Sequence, residues 1–155
     1  MENKYSSERP LKVERVKRGY TLNYNVKETS EEELLDLWLS SGRSETEGEQ
    51  PTDDFKRENK YVYNSVYVAM GQWKYDGLVN AIIRDKYRSD EMEAITNNMA
   101  AINALFMQTL VSGGIVEAIQ FLKESAKNSD AEDFRLMQEW RALSKKEAKE
   151  VFNIK

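Results

Sequence analysis

Apolar and polar positions follow two different periods along this chain. In residues 20–27, Tyr20, Leu22, Tyr24 and Val26 alternate with Thr21, Asn23, Asn25 and Lys27, the period of two of a half-buried strand. Upstream, Val13 and Val16 flank a basic segment that Arg18 and Gly19 punctuate. A β-hairpin is expected there, with Gly19 supplying the positive φ of the turn. Residues 61–70, YVYNSVYVAM, are dense in branched and aromatic side chains and predict a strand apolar on both faces, hence central or covered by helices on one side.

The period then lengthens to that of a helix. Thr29-Ser30 before Glu31, Glu32 and Glu33 has the form of a capping box, and Leu34, Leu35, Leu37, Trp38 and Leu39 crowd the short helix behind it. Leu78, Val79, Ile82 and Ile83 form an apolar stripe between Tyr75 and Tyr87. Ser89 and Asp90 start a second long helix, in which Met92, Ile95, Met99, Ile102 and Phe106 recur at alternating spacings of three and four, a bundle-type seam. Ser112-Gly113-Gly114 breaks it. A third helix is expected over 115–127, with Ile115, Val116, Ile119, Phe121 and Leu122 as its apolar set. A fourth, capped by Ser129 or Asp130, runs to about Phe152 with Phe134, Met137, Trp140 and Leu143.

Together these elements predict an α+β fold: a small antiparallel sheet, made of a hairpin plus a central strand, packed against a C-terminal layer of three or four helices. Residues 1–10 are polar and read as a flexible N-terminal arm, and 11–155 as a single domain. Within that domain 40–59, SSGRSETEGEQPTDDFKREN, reads as a mobile acidic loop. Its adjacent Asp53 and Asp54 lack the spacing of a calcium loop.

Composition narrows the chemistry. The sequence contains no cysteine and no histidine, which removes disulfides, cysteine zinc sites, and the Ser-His-Asp and Cys-His arrangements. A carboxylate enzyme would need converging pairs such as Asp85 with Asp90 or Glu91 with Asp133, and spacing alone does not bring them together. The expectation is therefore no enzyme, no metal and no cofactor. The 27 acidic against 23 basic residues leave a net charge of −4, which disfavours nucleic acid and anionic membranes, although the basic residues between Lys12 and Arg18 could touch phosphate. No apolar run of about 18 residues that could span a bilayer is read in the chain, and MENKYSSERP lacks a signal-type apolar segment, so no membrane partner and cytoplasmic synthesis are expected. For protein contacts, the candidate interface residues are Trp38, Met99, Ile102, Phe106, Ile119 and Trp140.

Two segments carry a resemblance. Trp73, Tyr75, Asp76, Val79, Ala81, Ile83, Lys86 and Tyr87, then Ser89, Asp90, Met92, Ala94, Ile95, Asn97 and Asn98, and finally Phe134, Met137, Gln138, Trp140 and Arg141 follow a motif order. It resembles that of small structural or assembly proteins of tailed bacteriophages and prophages of Bacteroidetes gut bacteria. About half the chain takes part, and the matching residues are of packing and capping type. The chain departs from the pattern between Met99 and Ser129, where a helical hairpin over 99–127 replaces a short acidic connection. The resemblance implies a non-enzymatic virion protein, capsid- or tail-associated, assembled in the bacterial host cytoplasm. Its partners would be further copies of itself and other virion proteins. The alternative is an intracellular phage adaptor or regulator that binds a host or phage protein, with nucleic acid the less favoured target.

Overall fold

The computed structural model describes residues 1–125 and 127–153. Four antiparallel strands form one sheet: β1 (Lys4–Ser6), β2 (Val13–Val16), β3 (Gly19–Glu28) and β4 (Tyr61–Ala69), in the order β1-β4-β3-β2. Between β3 and β4 lie α1 (Glu31–Ser40), α2 (Ser44–Glu47) and α3 (Asp53–Glu58). After β4 a 3-10 turn at Met70–Gln72 leads into α4 (Tyr75–Lys86), α5 (Ser89–Ser125) and α6 (Ser129–Phe152). The fold is α+β, a four-stranded sheet with a C-terminal helical layer.

Register explains which residues of the sheet are covered. Tyr20 lies opposite Val68, Leu22 opposite Val66 and Tyr24 opposite Asn64, so these residues share one face. That face meets the helices: Leu22, Tyr24, Val68, Leu78, Val79, Ile82, Trp140 and Ala148 form the main core. Tyr24 and Trp140 meet edge to face with centroids 6.0 Å apart, and the Trp140 indole N–H donates to the Ile82 carbonyl at 3.0 Å. The other face carries Tyr61, Tyr63 and Ser65, all half-buried, and the exposed Tyr67. As expected of this stretch, β4 is an interior strand of the sheet and is covered by helices on one face.

Gly19 is needed for a different reason than its turn. The hairpin turns through Lys17 and Arg18, Val16 pairs with Gly19, and Gly19 does not have a positive φ. A Cβ at Gly19 would stand 2.3 Å from the Val68 carbonyl oxygen, so glycine permits close strand approach there. The positive φ in this strand belongs to Asn25, at +54°, inside the irregularity between Tyr24 and Lys27. Displaced from the ladder, the Asn25 amide donates to Glu147 Oε1 of α6 at 3.1 Å, and Lys12 pairs with the same carboxylate. The bulge thus ties the last helix to the sheet.

Two segments expected to be loose are built into the fold. Lys4, Tyr5 and Ser6 pair with Tyr63, Val62 and Tyr61, so the arm over 1–10 contains an edge strand. Its anchor is Asn64, whose side-chain N–H2 donates to Asn3 Oδ1 at 2.9 Å and to the Glu2 carbonyl at 3.2 Å. The acidic stretch over 40–59 contains α2 and α3. Thr52 caps α3 by accepting from the Phe55 amide, and Phe55 packs edge to face on Trp38, with centroids 4.9 Å apart. Trp38, Leu34 and Phe55 make a second small core, and one aromatic in an otherwise polar stretch was enough to fold it back. The capping box at Ser30 and Glu33 is present, with both reciprocal bonds made. The last helix is capped by Asn128, whose Oδ1 accepts from the Asp130 amide at 3.0 Å, rather than by Ser129 or Asp130.

Candidate interaction surface

The helix α5 is unlike the rest of the molecule. It runs for 37 residues, and Gly114, at φ +83° and ψ −173°, interrupts it with a non-helical conformation. Residues 89–113 form a first arm and 115–125 a second. Asn98 donates to Asp130 at 2.9 Å, so the chain is back at the level of Asn98 when α6 begins. From Asn98 to Gly114 the first arm advances roughly 24 Å. It must therefore turn back sharply at Gly114, and the described residues between 99 and 129 form a projection closed at its base by the Asn98–Asp130 bond.

Burial within the projection has a period. On the first arm Ile102 is buried, and Met92, Ile95, Met99, Phe106 and Thr109 are half-buried, at spacings of three and four. On the second arm Ala118 is buried, and Phe121 and Ser125 are half-buried, again at three and four. These faces are shielded by the chain's own elements, α6 among them.

Large apolar side chains remain outside those shielded faces. Leu105, Met107, Val111, Ile115, Val116, Ile119 and Leu122 are 46–84% exposed. Half of the strongly exposed large hydrophobics among the described residues belong to this short stretch. At on the order of 100 Å² each they present roughly 700 Å² of apolar surface, above the largest patch of a typical monomer. By length and composition α5 is also long and apolar enough to cross a membrane, with an 18-residue window of mean hydropathy 1.5. This corrects the expectation that no such run exists. Asn103, Gln108 and Thr109 interrupt the apolar residues, yet no charged residue lies between Glu93 and Glu117.

The candidate interface residues divide accordingly. Trp38 is fully buried and donates its indole N–H to the Gly48 carbonyl at 2.8 Å, and Trp140 is buried on Ile82. Both are core residues with no face left for a partner, because each ring satisfies its polar edge inside the chain. Met99, Ile102 and Phe106 lie on the shielded face of α5 and serve this chain's own packing. Ile119 alone of the six is strongly exposed. What the seam reading missed is the opposite side of the same helix. There Ala100, Ala104, Met107 and Val111, all exposed, repeat the spacing of four, three and four. A second stripe at that spacing, in a segment without charge, was the available signal.

Of the carboxylates, Asp85 accepts from the Tyr24 hydroxyl at 2.5 Å. Burial first, then the hydrogen bond to Asp85 and the negative charges of Asp85 and Glu147, push the Tyr24 phenol far above its ordinary value. Glu91 and Asp133 line one shallow cavity of about 460 Å³ beside Tyr87. Burial and then the charges of Asp133 and Glu91 raise the Tyr87 phenol as well. Glu91 is engaged as a cap, accepting from the Arg88 amide at 2.7 Å. A larger open cavity of about 680 Å³ beside α4 is lined by Lys74, Asp76, Arg84 and Asp85 among others. Among the described residues no group of three His, Cys, Asp or Glu side chains is placed to hold a metal ion. Against protein families, curated proteins and solved structures, the chain finds no match.

Proposed function

We infer that this chain is a non-enzymatic structural or assembly protein that works through protein–protein contacts in a multi-copy assembly. The observation that carries this reading is the projecting helical hairpin of α5, whose apolar side chains from Leu105 to Leu122 lie uncovered. A helix that is apolar on opposite sides is stable in water only when something covers it. The folded body supports the same role. Its cores are closed around Trp38 and Trp140, and the strongest apolar exposure is concentrated on one projection. The resemblance in residues 73–98 and 133–149 supports reading that assembly as the virion of a tailed bacteriophage, with the chain a capsid- or tail-associated component built in the host cytoplasm. Mass spectrometry of purified particles tests this. The protein is expected in virions at many copies, and its absence from particles would overturn the virion role.

A further inference from the structure

We propose that the outward stripe of the first arm of α5 pairs with the same stripe of a second copy, antiparallel, about a two-fold axis between Leu105 and Phe106. This deepens the assembly reading by naming the first partner, and it rests on that reading for its biological setting only. Ala100, Ala104, Met107 and Val111 lie on one side of the helix, opposite the shielded seam of Met99, Ile102 and Phe106. Their order is small, small, large, large. In an antiparallel pair centred between 105 and 106, Ala100 faces Val111 of the second copy and Ala104 faces Met107. Each large side chain then enters the space left by a small one, and each contact occurs twice, as an isologous interface requires. A parallel pair would instead set Val111 against Val111 and leave the alanines facing a gap.

Exposure and charge fit the same partner. The two large side chains of the stripe, Met107 and Val111, are 55% and 84% exposed, and the pairing covers both on each copy. Because no charged side chain occurs between Glu93 and Glu117, the two stripes meet without like-charge repulsion. Two first arms joined in this way cover Met107 and Val111 on each copy with the alanines of the other. A bilayer fits the segment less well. Asn103 and Gln108 are both exposed on the flanks of the stripe, where lipid would leave their amides without partners. At the rim of a protein interface they stay hydrated.

The chain's lack of cysteine makes the register testable in the full-length protein. Ala100→Cys and Val111→Cys are made as separate single variants, mixed, and oxidised. The antiparallel register brings these two positions together, whereas the same position on two copies is separated by roughly 16 Å along the axis, beyond disulfide reach. The expected result is a covalent dimer from the mixture and little from either variant alone. In light scattering the wild type is expected to be dimeric, and Val111→Glu, at a position 84% exposed, to raise the dimer Kd at least about 100-fold with an unchanged circular dichroism spectrum. Covalent dimers from each variant alone would overturn the antiparallel register. A wild type that is monomeric up to about 100 µM would overturn self-pairing, as would a monomer that binds phosphatidylcholine vesicles. A monomer that is nonetheless present in particles sinks the pairing while sparing the virion role. A register-specific cross-link in a protein absent from particles does the reverse.

Discussion

Gly114 decides whether the projection is a hairpin or a rod, and Gly114→Ala tests that directly. At φ +83° and ψ −173° the residue occupies a region that only glycine enters readily, so alanine there carries strain of about 1–3 kcal/mol. In a continuous helix the same alanine is favoured over glycine by about 1 kcal/mol. The substitution therefore shifts the balance between bent and straight by about 2–4 kcal/mol toward straight. Opposing it is the packing of Ile102, Phe106, Ala118 and Phe121, which a straight α5 of 37 residues, roughly 55 Å long, would expose. Spin labels at Leu105→Cys and Leu122→Cys, both on exposed positions, read the outcome when the labelled protein is diluted in unlabelled chain. The glycine protein should give backbone separations of roughly 10 Å, the distance between packed helices, and Gly114→Ala a new population near roughly 25 Å. Its melting temperature should fall by about 4–8 °C for a loss of about 2 kcal/mol. The neighbouring Gly113 serves as control. It lacks a positive φ, and the nearest atoms to a Cβ there are those of the Glu117 side chain, from 3.1 Å, so Gly113→Ala carries no backbone strain and should leave the bend in place. An unchanged distance distribution and melting temperature in Gly114→Ala would refute the claim that this residue sets the bend.

Three further predictions concern the body. Tyr24→Phe removes the hydroxyl that donates to Asp85 and should cost about 1–2 kcal/mol in urea unfolding near neutral pH. Because the folded protein holds the phenol well above its ordinary value of 10.0, this stability is present below about pH 10 and lost as pH rises beyond it. An equally steep alkaline loss in Tyr24→Phe would contradict that. Trp38→Ala opens the small core with Leu34 and Phe55 and should cost about 3–5 kcal/mol, with hydrogen exchange accelerating over 31–58 before the rest of the chain; uniform acceleration would show that the two cores are not separable. Ser30→Ala removes the α1 cap and should cost about 1 kcal/mol by thermal melts, and no change would mean that Glu33 alone suffices. Glu33 itself lies below the usual carboxylate range, chiefly through its hydrogen bond to Lys27 and then to Ser30. The support it gives is present above the ordinary carboxylate range and lost as pH falls through and below it.

The architecture was legible wherever local chemistry and tertiary packing agree. The alternation from Tyr20 to Val26, the capping box at Ser30 and Glu33, and the apolar stripe around Leu78 and Ile82 each place an element where the structure has one. The helix break at Ser112-Gly113-Gly114 lies where Gly114 leaves helical geometry. Sequence reading failed where a long-range partner overrides local character. Lys4–Ser6 is polar and becomes a strand only because β4 offers an edge. The polar stretch over 40–59 is held by Phe55 on Trp38, a contact no spacing rule supplies. Gly19 suggested a turn because glycine and turns correlate, whereas the neighbouring strand's carbonyl is what excludes a side chain there. For the interaction surface the most attractive residue types misled. Trp38 and Trp140 are the aromatics that typify binding hot spots, and both are the large side chains on which their own cores close. The exposed stripe of Ala100, Ala104, Met107 and Val111 contains no aromatic and no arginine, and only burial separates it from the seam on the opposite side of the same helix.

That the α5 hairpin is a surface made for another copy is tested most directly by light scattering on the full-length chain and on Val111→Glu across a concentration series. The account predicts a mass of twice the 18.0 kDa chain for the wild type, and a shift to the single-chain mass for the variant. A wild type that stays at 18.0 kDa at every concentration, or a variant that remains as dimeric as its parent, would contradict it.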